Sequence, residues 1–265
     1  MKNYFVIGNP VEHSISPDIH NRWLNESNIQ AVYHKKTLNS DELENFVNEI
    51  RKKKISGANI TVPYKEKIIR FMDILTDSAK EANSVNTIYL IDRKIIGDNT
   101  DIKGFYFSLK GKNINFNNQS ALVLGSGGVT ASIIIGLKKL GVDKIFVSNR
   151  TRKKAEDLKK RFNFLEILEW EEKKKTNIVI NTTRLGLKTT DKNNLNYNIF
   201  EPETLFYDVI YSPKETNFLK RAKEQTCKTQ NGMMMFVYQA AEAFKIWHNV
   251  EPKIDDNLIK SLQND

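Results

Sequence analysis

Cysteine is almost absent. The chain of 265 residues carries one, Cys227, so no disulfide can form within it, and a reducing cytoplasm is the expected home. Long apolar runs are missing as well. None approaches the roughly 20 residues that a helix needs to span a bilayer, so no membrane partner is expected. The opening residues Met1-Lys2-Asn3-Tyr4 run straight into a strand-like segment without the pattern of a signal peptide. Histidine is scarce: His13, His20, His34 and His248 have no metal-ligand spacing and no partner cysteines, which argues against a metal site. An acidic balance is also lacking, because 41 Lys and Arg against 32 Asp and Glu leave a formal charge of +9. Such a charge invites nucleic acid. The lysines, however, are scattered among abundant asparagine and isoleucine, as codon bias produces, and runs such as Lys52-Lys53-Lys54 and Lys173-Lys174-Lys175 read as solvated helix ends. The expected partner is a small molecule and not a nucleic acid, with a homodimer left open.

What is present is alternation. Apolar runs at 4–7, 58–62 and 85–91 read as strands, and helical patterns fall between them at 17–26, at 41–52 after Ser40 as N-cap, and from Tyr64 onward. This order predicts an α/β fold with a mostly parallel sheet. A second unit starts near residue 120. Ala121-Leu122-Val123-Leu124 suits a strand buried on both faces. A helix follows to about Leu140, with Gly141 as its C-cap. Further strands are predicted at 144–148, 178–182 and 205–210, a helix over 152–162, and helices again from Met233 to the end. Residues 113–118, starting with Asn113, read as a surface loop near the boundary.

Between the strand at 121–124 and its helix stands Gly125-Ser126-Gly127-Gly128. Strand, glycine turn and helix in that order make an anion site, because helix-terminal N–H groups and a positive dipole end face a ligand that can approach the glycine backbone. The match to G-x-G-x-x-G/A is imperfect, with Thr130 in place of the third small residue. A tight structural turn is the alternative. About twenty residues on, an NAD site usually places an acid for the ribose hydroxyls. Here the chain reads Asn149-Arg150-Thr151-Arg152-Lys153-Lys154. A guanidinium there can pair with a 2′-phosphate, which points to NADP(H).

Polar residues also gather where a parallel sheet ends. Ser14 and Ser16 follow the first strand, Thr61 lies at the end of the second with Lys65 after it, Asn86 opens the third, and Asp101 follows Gly97-Asp98-Asn99-Thr100. Taken singly, each has a structural reading: turn and cap serines, an ordinary strand threonine, a solvated lysine, a loop asparagine, a helix-capping aspartate.

Taken together, Gly8-Asn9-Pro10 with His13-Ser14-Ile15-Ser16-Pro17, then Gly57-Ala58-Asn59-Ile60-Thr61-Val62-Pro63-Tyr64-Lys65, Val85-Asn86-Thr87 and Gly97-Asp98-Asn99-Thr100-Asp101 resemble the shikimate dehydrogenase family. The glycine turn, Asn149-Arg150-Thr151, Tyr207-Asp208-Val209-Ile210-Tyr211, and Gly232 with Gln239-Ala240-Ala241 continue the resemblance from Asn3 to about Leu262. It implies an N-terminal catalytic and substrate-binding domain over 1–103, a Rossmann-like NADP-binding domain over 104–232, and C-terminal helices over 233–265 that return to the first domain. It also implies reversible reduction of 3-dehydroshikimate to shikimate on the route to chorismate and the aromatic amino acids. A relative that also takes quinate, with broader cofactor use, is the alternative. By the same resemblance Ser14 and Ser16 bind the substrate carboxylate, Thr61, Asn86, Asp101 and Gln239 serve the ring hydroxyls, Tyr211 lies near the carboxylate, and Lys65 and Asp101 are the catalytic pair. Gly125, Ser126, Gly127, Gly128 and Val129, with Asn149, Arg150, Thr151 and Lys154, bind NADP, and Val209 and Gly232 join them. The chain departs from the usual pattern at Ile102-Lys103, at Thr182-Thr183-Arg184, at Val209 and at Lys154.

Overall fold

Helices on both faces of a parallel sheet leave its central strands no solvent side, so those strands become continuous apolar runs. Ala121–Leu124, Ile178–Ile180 and Leu205–Tyr207 are such runs, and they form neighbouring strands in a computed structural model of the chain, which describes residues 1–112, 114–170, 172–187, 191 and 195–263. The chain divides into two units, Met1–Gly104 with Val237–Asp265, and Phe105–Phe236.

The first unit contains β1 (Lys2–Gly8), α1 (Ser16–Glu26), β2 (Ala31–Thr37), α2 (Leu43–Arg51), β3 (Gly57–Ile60), β4 (Ile74–Leu75), α3 (Asp77–Ala82), β5 (Thr87–Ile91), β6 (Lys94–Asp98) and the start of α4 (Asp101–Lys110). Its strand order is β2-β1-β3-β5-β6-β4. The expected parallel pairing holds for β1 with β2 and β3, and for β4 with β6. β5 runs antiparallel to both β3 and β6. The reversal comes from a two-residue turn in which Asp92 and Arg93 have φ of 48° and 66°, the left-handed pair a tight hairpin needs. α2 buries Leu43, Phe46, Val47 and Ile50, the i, i+3, i+4, i+7 face of an amphipathic helix. Each such burial contributes roughly 1.5–3 kcal/mol.

Two local expectations need correction. Ser40 does not cap α2: a short 3-10 turn over Ser40–Glu42 precedes that helix, and Asn39 stands at its start with its N–H on Glu42 Oε2 at 2.7 Å. No α-helix begins at Tyr64 either. Residues 62–66 form turns, followed by a 3-10 helix over Lys67–Phe71. The cause is tertiary. The Lys65 carbonyl accepts from Val85 N–H at 2.8 Å, and Tyr64 Oη donates to Leu38 O, so the segment is tied to its neighbours instead of closing a regular ladder.

The second unit contains β7 (Ser120–Leu124), α5 (Thr130–Leu140), β8 (Lys144–Ser148), α6 (Arg152–Arg161), β9 (Leu165–Leu168), β10 (Ile178–Asn181), β11 (Leu205–Asp208), α7 (Asn217–Glu224) and β12 (Lys228–Gln230). All its pairings are parallel, in the order β12-β11-β10-β7-β8-β9. The chain winds outward in opposite directions from β7, which makes the β7/β10 edge the switch point where such sheets bind ligands. Gly141 caps α5 in the left-handed region at φ +92°, as expected. Of the loop read over 113–118, Asn113 lies outside the described residues.

The chain then continues through α8 (Met233–His248) and α9 (Asp256–Gln263). From Val237 it belongs again to the first unit. Trp247 Nε1 donates to Ile88 O at 3.1 Å, and Trp23 Nε1 to Lys253 O at 2.9 Å. No helix among the described residues is long and apolar enough to cross a membrane.

Candidate active site

The antiparallel β5 explains how Asn86 reaches the others. Thr87 at its start pairs with Asn59 near the end of β3 and with Asp98 at the end of β6. Residues that follow β1, β3 and β6, and those that precede β5, therefore share one edge of the sheet. There Lys65 Nζ donates to Asp101 Oδ2 at 2.6 Å, with the two side chains only 14% and 6% exposed. The other carboxylate oxygen, Oδ1, accepts from Asn86 Nδ2 at 2.9 Å. Asn86 is itself locked: its Oδ1 accepts from Thr100 N–H at 2.8 Å, and its Nδ2 also reaches Thr100 Oγ1 at 2.9 Å. Asn99 Oδ1 accepts from Asp101 N–H at 3.1 Å at the head of α4. A buried carboxylate with one face on an ammonium and the other on an amide holds both partners in one geometry.

Ser14 and Ser16 also come together. Ser14 Oγ donates to Ser16 Oγ at 3.0 Å, and Ser16 N–H to Ser14 Oγ at 3.2 Å. Tyr33 lies next to Ser16, and its buried hydroxyl donates to Asn59 Oδ1 at 2.7 Å. Burial pushes the Tyr33 phenol well above its ordinary range, so it stays neutral. Asn59 Nδ2 continues to Thr87 Oγ1 at 3.1 Å, and Thr87 Oγ1 to Asn86 Oδ1 at 3.0 Å. A polar chain thus runs from beside the serine pair to the lysine–aspartate pair. Sequence reasoning missed Tyr33, Thr87 and Thr100 and passed over Asn59. The one available signal was an asparagine between Ala58 and Ile60 in an otherwise apolar strand. Thr61 is half-buried just past β3, its N–H on Ile7 O at 2.9 Å. Gln239 is half-buried on α8 in the first unit, and Tyr211 packs on Phe236 in the second, with ring centroids 4.8 Å apart.

In the second unit the glycine turn links β7 to α5 as expected. Gly125 has φ +112°, and a Cβ there would meet Thr182 Oγ1 at 2.6 Å, so only glycine fits. A Cβ on Gly127 would meet nothing within 4 Å, which leaves open space over the backbone. Ser126, Gly128 and Val129 complete the approach to α5. Thr130, in place of a small residue, is absorbed: its hydroxyl is 2.8 Å from that of Thr182, which itself donates to Leu124 O. Beyond β8, Asn149 Nδ2 donates to Thr151 O at 2.8 Å and shapes the turn into α6. Arg152 is paired with Glu156 and Glu169, and Lys153 with Asp157. Arg150 and Lys154 are exposed and belong to no ion pair among the described residues. The turn therefore offers two uncommitted cations and no acid, a donor set that fits a 2′-phosphate and not a ribose diol. Gly232 is pressed against Val209, where a Cβ would sit 2.1 Å from the Val209 carbonyl oxygen. No group of three or more His, Cys, Asp or Glu among the described residues converges on a metal-sized point.

Two departures from the family pattern are accommodated by packing. Ile102 is buried, and Lys103 pairs with Glu242 on α8 at 2.6 Å. Thr183 Oγ1 donates to Asn181 Oδ1 at 2.6 Å, while Arg184 is exposed.

The chain is similar to known proteins along nearly all of its length. Residues 6–88 match the family described as shikimate dehydrogenase substrate binding domain, residues 108–209 the shikimate / quinate 5-dehydrogenase family, and residues 232–256 the shikimate 5′-dehydrogenase C-terminal domain. A shikimate dehydrogenase (NADP(+)) of Pelagibacter ubique is 51% identical over 261 residues, 98% of either chain. The crystal structure of shikimate dehydrogenase from Aquifex aeolicus superposes with a TM-score of 0.90 at 36% identity, covering 100% of this chain and 98% of that one. The Thermus thermophilus shikimate 5-dehydrogenase, solved in complex with NADP(H) and shikimate, gives a TM-score of 0.90 at 30% identity, covering 100% and 99%.

Proposed function

This chain belongs to the shikimate dehydrogenase family, and from that premise we propose how it works: it catalyses the reversible NADPH-dependent reduction of 3-dehydroshikimate to shikimate, with Lys65 and Asp101 as its catalytic pair. NADPH, when bound, supplies a hydride to the ketone carbon. The protein's part is to hold the ketone and deliver a proton to the oxygen that becomes negative. Lys65 Nζ carries that proton in the direction of reduction and takes it back in oxidation. Asp101 holds the ammonium by its Oδ2 and is held by Asn86 through its Oδ1. The bond between Lys65 and Asp101 at 2.6 Å, nearly out of water, is the observation that carries this reading.

Ser14 and Ser16 take the substrate carboxylate. Two short hydroxyls aimed at one anion orient it without a fixed cation. Thr61, Asn86 and Gln239 serve the ring hydroxyls. On the second unit, the Gly125–Val129 turn receives the pyrophosphate at the head of α5. Arg150 and Lys154 take the 2′-phosphate, and Val209 and Gly232 border the nicotinamide half. Residues 1–103 and 233–265 form the substrate domain and residues 104–232 the nucleotide domain in this reading.

The test is the rate of shikimate oxidation by NADP, with quinate as the second substrate and NAD as the second cofactor. The expected result is a kcat/KM that favours shikimate over quinate and NADP over NAD. A kcat/KM as high for quinate as for shikimate, or higher with NAD, would replace this reading with the broader quinate/shikimate enzyme.

A further inference from the structure

Asp208 closes β11 with a wholly buried side chain. Among the described residues no lysine or arginine pairs with it. A carboxylate buried without a counter-charge is costly and persists only where hydrogen bonds replace the lost water. Burial pushes its carboxyl up to about 6, against the pull of three donors. Those donors are Thr216 Oγ1 at 2.6 Å, Ile210 N–H at 3.0 Å and Asn181 Nδ2 at 3.1 Å.

Each donor governs a different segment. Asn181 is a hub for the turn after β10: its Oδ1 accepts from Thr183 N–H and Oγ1, and its Nδ2 also donates to Leu185 O at 2.9 Å. Thr216 caps α7 and lies against Gly186, where a Cβ would meet Thr216 Cβ at 3.0 Å. Ile210 accepts from Gly232 N–H at 3.0 Å, which keeps Gly232 against Val209. One carboxylate thus ties the turn over 182–186, the segment over 209–211 and Gly232 into one unit, at the carboxyl ends of β10 and β11. Arg150 follows β8, on the opposite side of β7 in the sheet order.

We infer that Asp208 is a positioning residue for the nicotinamide end of the cofactor and has no part in holding its adenine end. The inference rests on the nucleotide site assigned above. Asparagine at 208 keeps the shape and one acceptor oxygen but removes the charge and sets an NH2 against the Thr216 hydroxyl, so the charge-assisted bond that Thr216 donates is lost.

Two ligands separate the ends: NADPH, and adenosine 2′,5′-bisphosphate, which has the adenine and the 2′-phosphate but no nicotinamide. Their Kd values are measured by calorimetry on the full chain, in the parent, D208N and T216V. D208N should weaken NADPH about 10-fold, the effect of one lost bond to a charged group, and leave the bisphosphate within about twofold. T216V, which removes the 2.6 Å donor without touching the carboxylate, should show the same pattern even if D208N folds poorly. Unchanged NADPH affinity in both variants overturns the inference. So does an equal loss for both ligands, which would mark Asp208 as a general support of the unit. A parent that fails to bind the bisphosphate instead overturns the assignment of Arg150, and with it the site on which the inference stands.

Discussion

Tyr33 Oη donates to Asn59 Oδ1 across 2.7 Å, and both side chains are buried. That one bond ties Tyr33, which lies next to Ser16, to the Thr87–Asn86–Asp101 network that holds Lys65. Phenylalanine at 33 keeps the ring and removes the hydroxyl, leaving the Asn59 carbonyl without its donor. A buried polar group left unmatched costs ~1–3 kcal/mol. Tyr33→Phe should therefore lose about 2 kcal/mol of unfolding free energy in urea. A loss near zero would mean that water or a rotated Asn59 replaces the bond.

Ser14→Ala and Ser16→Ala should raise KM for shikimate and change kcat little. The carboxylate is present in both ground and transition state, so its binding is largely uniform. Each charge-assisted bond is worth about 1.5–3 kcal/mol, or roughly 10- to 100-fold in KM. Steady-state kinetics of the double variant checks this. An unaltered KM places the carboxylate elsewhere.

Arg150→Ala should weaken NADP by roughly 30-fold, the equivalent of ~2 kcal/mol, and leave NAD nearly unchanged. Lys154 is an exposed point charge and should contribute less than the planar guanidinium. The check is KM for both cofactors in parent and variant. A variant whose preference for NADP is undiminished would remove Arg150 from phosphate recognition.

His20 gives the stability a pH dependence. It is buried and stacked on Tyr33, with centroids 4.2 Å apart and planes 2° from parallel. Burial, with His248 adding to it, depresses its imidazole to about 3. An unfolded chain takes up a proton near the ordinary value of ~6.5, and the folded chain does not until about 3. The neutral ring's contribution is therefore whole above pH ~6.5 and is lost as pH falls toward 3, at up to ~1.4 kcal/mol per pH unit. His20→Leu should flatten the stability profile by about that slope between pH 4 and 6. Parallel profiles for parent and variant would mean that His20 protonates in the folded state.

Local features were legible in the sequence, and paired ones were not. The glycine turn, β7, α5 and the Gly141 cap follow from contiguous residues whose conformation is set nearby. β2 was missed because it is an edge strand with one buried side chain, Tyr33, followed by the exposed His34-Lys35-Lys36-Thr37, so it shows neither an apolar run nor a clean alternation. The hairpin after β5 was missed because its turn is Asp92-Arg93 and carries no glycine. Lys65 and Asp101 are 36 residues apart, and only the antiparallel β5 brings Asn86 to the free oxygen of that carboxylate. The family resemblance named those residues. The chain of hydrogen bonds that holds them needed the coordinates, as did Asp208, which in the sequence is one acid at the end of an apolar run.

The role of Lys65 is tested most directly by kcat for shikimate oxidation in Lys65→Ala, measured at saturating shikimate and NADP beside the parent. The lost group acts on charge that develops in the transition state. The expected result is a fall in kcat on the order of 10²–10⁴-fold, the range for general acid–base catalysis, with KM for shikimate within a few-fold of the parent. A purified variant that turns over at the parent rate would contradict the assignment of Lys65 as the proton-transfer group.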